Sequence, residues 1–127
     1  MKNILIDTDI LIDFLRGKET TRRFLLSVAE KNTLYCSVIT VAEIYAGMRE
    51  EEKEKTDDLL DSLNIVEITR AVAEKAGRYK HQIRRQALEL DDCMIAASAF
   101  SVKAQLVTSN GKHYPMNDIE KTVISAE

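Results

Sequence analysis

Five acids stand at points where carboxylate chemistry can be assembled. Asp7 and Asp9 follow an apolar run at the amino terminus, Glu43 follows Val41-Ala42, and Asp91-Asp92 precede an alanine-rich segment. Taken singly, each has an ordinary use. Asp7 suits the cap of a helix, where its side chain accepts a backbone N–H. Thr40-Val-Ala-Glu43 has the spacing of a capping box, in which two side chains satisfy each other's backbone donors at a helix start. Asp9, Asp91 and Asp92 suit the positive end of a helix dipole. The set says more than its members, because a hard cation such as Mg²⁺ takes several oxygen ligands and keeps water in its remaining positions. Carboxylates from separate segments that meet at one place supply such a site, and metal-assisted hydrolysis of a phosphodiester is the chemistry it supports.

Other chemistries lack their residues. His81 and His113 are isolated, with no HExxH and no Cys/His cluster for zinc. No P-loop and no GxGxxG turn is present, which removes the common nucleotide-binding loops. Cys36 and Cys93 have neither CxxC spacing nor the density of a disulfide scaffold, and both are expected to be buried thiols.

The elements that must position the acids can be read from the hydrophobic pattern. Asn3 to Ile6 suits a buried strand that delivers Asp7 to a helix over Thr8 to Arg16, stopped by Gly17. A second helix is expected from Glu19 to Glu30 and a strand from Thr33 to Ser37. The capping pattern then predicts a helix opening at Thr40, followed by a charged helix from about Glu51 to Leu63. Ile65 to Ile68 reads as a strand, Thr69 as the cap of a long helix through Val72, Ala76, Tyr79 and Ile83, and Asp91 or Asp92 as the start of another. Gln105 to Thr108 reads as a strand, Asn110-Gly111 as a turn, and Val123 to Ser125 as an edge strand. Alternation of this kind predicts an α/β fold with a mainly parallel central sheet flanked by helices in three layers. In such sheets functional groups collect beyond the carboxyl ends of the strands, where Asp7, Glu43, Asp92 and Asn110 all fall.

A chain of 127 residues, 45% hydrophobic and 31% charged, is expected to form a single domain over residues 1–127. No apolar run approaches the roughly 18 residues needed to span a bilayer, so a cytoplasmic protein without membrane contact is expected. The net charge of −3 gives no overall attraction to nucleic acid, so binding to it would need a local basic patch or bound metal. Arg16, Lys18, Arg22 and Arg23 form one basic group, and Arg78, Lys80, Arg84 and Arg85 another; each is either a track for phosphates or a solvated helix face.

Four segments also match a family in order. Ile6-Asp-Thr-Asp-Ile-Leu-Ile-Asp13, Ser37-Val-Ile-Thr-Val-Ala-Glu43, Asp92-Cys-Met-Ile-Ala-Ala97 and Leu106-Val-Thr-Ser-Asn110 resemble the signature blocks of PIN-domain ribonucleases, above all the VapC-type toxins of prokaryotic toxin-antitoxin pairs. The resemblance spans nearly the whole chain. It implies that Asp7, Glu43 and Asp92 are the catalytic, metal-binding acids. Thr8 or Thr108 would orient a ligand or the scissile phosphate, with Asp9 an auxiliary ligand through water. It further implies Mg²⁺ as cofactor, with Mn²⁺ able to substitute, and endonucleolytic cutting of RNA that leaves a 5′-phosphate. A cognate VapB-type antitoxin and a toxin homodimer are the implied partners. Many relatives carry aspartate where this chain has Asn110, and another where it has His113, so a second metal ion is in question.

Two other readings compete. Asp7-Thr-Asp9 resembles the nucleophile motif of haloacid-dehalogenase phosphatases, but Leu11 stands where that motif has Thr or Val, and Glu43 is left without a role. A PIN-like module that binds RNA or protein with weak or no catalysis would account for Asn110 in place of an acid.

Overall fold

The computed structural model describes residues 1–124. Five strands, β1 (Asn3–Ile6), β2 (Thr33–Ser37), β3 (Asn64–Val66), β4 (Gln105–Thr108) and β5 (Lys121–Val123), form one sheet in the order β3-β2-β1-β4-β5. Every pairing is parallel. Six helices connect and cover it: α1 (Thr8–Leu15), α2 (Glu19–Ala29), α3 (Val38–Gly47), α4 (Lys53–Asp61), α5 (Arg70–Gln82) and α6 (Leu90–Ser101). Single 3₁₀ turns precede α4, at Glu50–Glu52, and follow β4, at Gly111–His113.

The alternation of side chains along a strand divides the core between the two sheet faces. Ile4 and Ile6 of β1 join Cys36, Val107, Ile10, Leu11, Leu25, Ile44 and Leu60, so α1 to α4 cover that face. Leu5 points the other way and joins Leu106, Val72, Ala76, Tyr79, Cys93 and Ala96, so α5 and α6 cover the second. Ile4, Leu5 and Ile6 are 5%, 0% and 0% exposed, and burying each is worth roughly 1.5–3 kcal/mol. The small residues Ala96, Ala97 and Ala99 are buried along α6 and let that helix lie close against the sheet. Cys36 and Cys93 are free buried thiols, as expected.

Most expected elements are present, with boundaries shifted by one to three residues in several. The helix expected to start at Thr40 begins at Val38, β3 is the shorter Asn64–Val66, and the last strand lies at Lys121–Val123, Ser125 falling outside the described residues. Gly17 stops α1 as read, with φ +80, in the left-handed region that glycine adopts without penalty. Among the described residues no helix is long and apolar enough to cross a membrane.

Topology places the site. β1 and β4 are paired at the centre of the sheet, with Ile6 opposite Val107, so their carboxyl ends open at the same edge. Asp7 directly follows β1, and Ser109 and Asn110 directly follow β4. β2, the other neighbour of β1, runs straight into α3 and so aims that helix along the same edge.

Candidate active site

Asp7 is both a helix cap and the buried centre of an acidic cluster. Its Oδ1 accepts from the Thr8 backbone N–H at 2.8 Å and from the Tyr114 hydroxyl at 3.0 Å, and its Oδ2 accepts from the Thr108 hydroxyl at 2.7 Å. A carboxylate offers about four lone-pair positions, so three donors leave about one for anything else. The residue is 6% exposed. Burial, and then the charge of Asp9, push its carboxyl up from 3.8 to about 6 against the pull of its three donors.

Glu43 does not cap α3. The helix begins directly after β2, Ser37 keeps extended backbone angles, and its Oγ accepts from the Ile39 N–H at 3.2 Å. Ser37 is therefore the cap, and the expected capping box of Thr40 and Glu43 is not formed, because Thr40 is already inside the helix. The misread pattern leaves Glu43 free to reach across to α1, where its Oε1 accepts from the Thr8 hydroxyl at 2.6 Å. Thr40 is fully buried, with its hydroxyl 2.9 Å from that of Thr8.

Asp91 also reaches the cluster, beside the Asp92 that the family resemblance names as a metal-binding acid. α6 starts at Leu90, with Glu89 at the cap position and no side-chain cap bond there, so neither Asp91 nor Asp92 opens the helix; both lie in its first turn. Asp91 shares a hydrogen bond with Glu43, which takes one proton between the two carboxyl groups. Burial, and then this hydrogen bond, push Glu43 up to about 7. Asp92 faces inward: its Oδ1 lies 3.3 Å from the Tyr114 hydroxyl and its Oδ2 3.3 Å from His113 Nδ1. Burial first and Asp91 second raise its carboxyl.

The auxiliary residues act on the acids. Thr8 and Thr108 hold Glu43 and Asp7. Asp9 accepts from the Ile10 N–H at 2.8 Å and from the Ser109 hydroxyl. Asn110 is exposed; its carboxamide nitrogen lies 3.0 Å from His113 Nε2, while its backbone N–H donates to Thr108 Oγ1 at 3.0 Å. Tyr114, Ser109 and the contact of His113 with Asp92 were not foreseen. All three depend on the loop after β4 folding back over the sheet edge, which no local pattern announces.

The arrangement gathers Asp7, Asp9, Glu43, Asp91 and Asp92 while no lysine or arginine ion pair with any of them is formed among the described residues. Burial, and after it the crowding of carboxylates without a cation, holds protons above the ordinary range at Asp7, Glu43 and Asp92. No three of these groups form a ready-made cage among the described residues. The donors are nevertheless all hard oxygens on three elements, which is the chemistry a small divalent cation accepts while retaining water.

Comparison with known proteins places this geometry in a family. The profile described as PIN domain matches residues 4–119. The chain is 37% identical over 115 residues to Ribonuclease VapC10 of Mycobacterium tuberculosis, covering 89% of this chain and 86% of that protein. It is 31% identical to Ribonuclease VapC19 of the same organism, covering 88% and 92%. Among solved structures, VapBC2 from Rickettsia felis bound to a promoter DNA fragment is similar at a TM-score of 0.85 and 21% identity, over 97% of this chain and 99% of that one. A toxin-antitoxin complex from Klebsiella pneumoniae is similar at 0.78 and 27%, over 95% and 99%. With an all-parallel sheet, acids gathered at its carboxyl edge and a match over nearly its whole length, the chain belongs to the PIN-domain family, among the VapC proteins.

Proposed function

We propose that this chain, as a single nuclease domain over residues 1–127, is a divalent-metal-dependent endoribonuclease and the toxin of a toxin-antitoxin pair. The observation that carries the reading is the convergence of Asp7, Glu43 and Asp92 at one sheet edge without a neutralising cation from the protein. The relatives named ribonucleases and the neighbours solved as toxin-antitoxin complexes support the substrate and the partner, a VapB-type antitoxin.

Asp7, Glu43 and Asp92 would hold Mg²⁺ or Mn²⁺, which would supply Lewis-acid activation of water and neutralisation of charge on the phosphate. The chain's own groups set the stage for that ion. Thr108 and the Thr8 N–H fix the Asp7 carboxylate, so its one remaining lone-pair position is aimed by the fold. Thr8 fixes Glu43 in the same way. The basic group of α5 and its following loop is joined to the site's own loops: Arg85 donates to the Pro115 carbonyl at 3.2 Å, and Gln86 to the Lys112 carbonyl at 2.8 Å. Arg84 and Arg85 are exposed and flank the segment leading to Asp91, which favours this group over that of α1 and α2 as the phosphate track. In the first group Arg22 lies over the Phe14 ring at 5.3 Å and Lys18 lies 3.7 Å from Asp13.

The rival reading, a binding module without catalysis, rests on Asn110, whose carboxamide nitrogen meets His113. One experiment separates the two. Purified protein is incubated with a mixed RNA pool in Mg²⁺, in Mn²⁺ and in chelator. Cutting in metal alone is expected; retention of RNA without cutting in any metal would overturn the proposal.

A further inference from the structure

The residue that joins the two innermost acids is neither an acid nor a base at neutral pH. Tyr114 is 0% exposed, and its hydroxyl lies 3.0 Å from Asp7 Oδ1 and 3.3 Å from Asp92 Oδ1. Asp7 follows β1 and Asp92 lies on α6, so this hydroxyl links two elements that no backbone bond joins at that point. A phenyl ring would fill the same space. Only the hydroxyl brings a proton, and the groups around it accept.

We propose that Tyr114 is a positioning residue whose hydroxyl sets the spacing and rotamers of Asp7 and Asp92, so that the pair meets a divalent cation already oriented. The inference rests on the nuclease reading only for the identity of the pair as cation ligands. The physical case has two parts. A neutral donor between two carboxylates lowers their mutual repulsion without occupying the cation's place, which a lysine there would do. A shared donor also removes rotameric freedom from both acids before the ion arrives, so less ordering remains to be done on binding. The hydrogen bonds occupy only the Oδ1 atoms, leaving Asp7 Oδ2 with its spare position and Asp92 Oδ2 facing His113.

The test compares wild type with Tyr114→Phe by Mn²⁺ titration, read by electron paramagnetic resonance of the free ion, with no RNA present. Loss of a group that orients metal ligands weakens affinity about 10- to 100-fold. The expected result is a weakening of at least about tenfold, and an RNA-cleavage defect that raising Mn²⁺ relieves. Equal Mn²⁺ affinity in the folded Phe variant overturns the proposal while leaving the nuclease reading intact. Mn²⁺ binding that weakens in Phe, in a protein that cuts no RNA, supports the proposal and sinks the nuclease reading instead. A measurement on the wild-type chain covers the case of a Phe variant that fails to fold. With tyrosines labelled at Cζ, the Tyr114 hydroxyl proton should exchange slowly and move on saturation with diamagnetic Mg²⁺. A resonance that is unchanged at saturating Mg²⁺, or a wild-type chain that binds neither ion, overturns it.

Discussion

Replacing Asp7 by Asn separates the electrostatics of the site from its packing. Asn caps helices as well as Asp does, and its carbonyl can still accept from the Thr8 N–H and the Tyr114 hydroxyl. Its amide can donate to the Thr108 hydroxyl, which rotates to accept. The charge is what is lost. In the wild type Asp7 holds its proton up to about pH 6 when folded, against an ordinary 3.8. Between these values the folded chain binds more protons than the unfolded one, so stability falls as pH rises. The contribution is intact below about pH 3.8 and gone above about pH 6. At about 1.4 kcal/mol per decade of proton affinity, the loss is up to about 3 kcal/mol. In chelator, wild type and Asp7→Asn should therefore have similar stability near pH 4. At pH 7.5 the variant should be more stable by up to about 3 kcal/mol, or roughly 10 °C in Tm for a domain of this size. Mg²⁺ should raise the wild-type Tm and leave the variant nearly unmoved, while RNA cleavage by the variant falls at least about a hundredfold, the scale of removing a key electrostatic group. Urea unfolding at both pH values, with and without Mg²⁺, reads all of this. An Asn variant less stable than wild type at pH 7.5 in chelator would show that Asp7 is held by its hydrogen bonds rather than strained by its charge, and the reasoning would be refuted.

Three further outcomes are expected. Glu43→Gln should keep the Thr8 hydrogen bond through its carbonyl and hold or slightly raise the Tm in chelator, because the charge beside Asp91 is gone; cleavage should nearly vanish, and wild-type cutting across a range of Mg²⁺ would remove Glu43 from the site. Asp91→Asn should let Glu43 ionise more easily, moving the acid limb of the pH–rate profile to lower pH; an unmoved limb would return Asp91 to a helix-dipole role. Replacing Arg84 and Arg85 together by Ala should weaken RNA binding and flatten its salt dependence, since each phosphate contact contributes to that slope; an identical slope would leave both residues as solvated surface.

What the sequence by itself determined was the local. β1, β2 and β4 lie where short stretches of apolar and strand-forming residues predicted them, because a parallel sheet covered on both faces favours such stretches. Thr69 caps α5 as read, accepting from the Val72 N–H at 3.2 Å, because a cap is satisfied within one turn. Asp7 and Asp92 are brought to a strand end and a first helical turn as the sequence suggests, whereas Glu43 lies beyond the first turn of α3 and reaches the cluster by its contact with Thr8. Tertiary structure decided the rest. Ser37 rather than Thr40 caps α3 because Ser37 still pairs with Val66 in β3 and the helix follows at once; where a strand stops depends on its partner. Tyr45 is 36% exposed and hydrogen-bonded to Asp57 of α4, a contact that only the packing of α3 beside α4 supplies. Thr108 meets Asp7 across 101 residues, and Tyr114 meets it across 107. Such contacts exist only because the strand order sets β4 beside β1 and the following loop folds over their shared edge, a choice made by the packing of the whole sheet and written in no single segment.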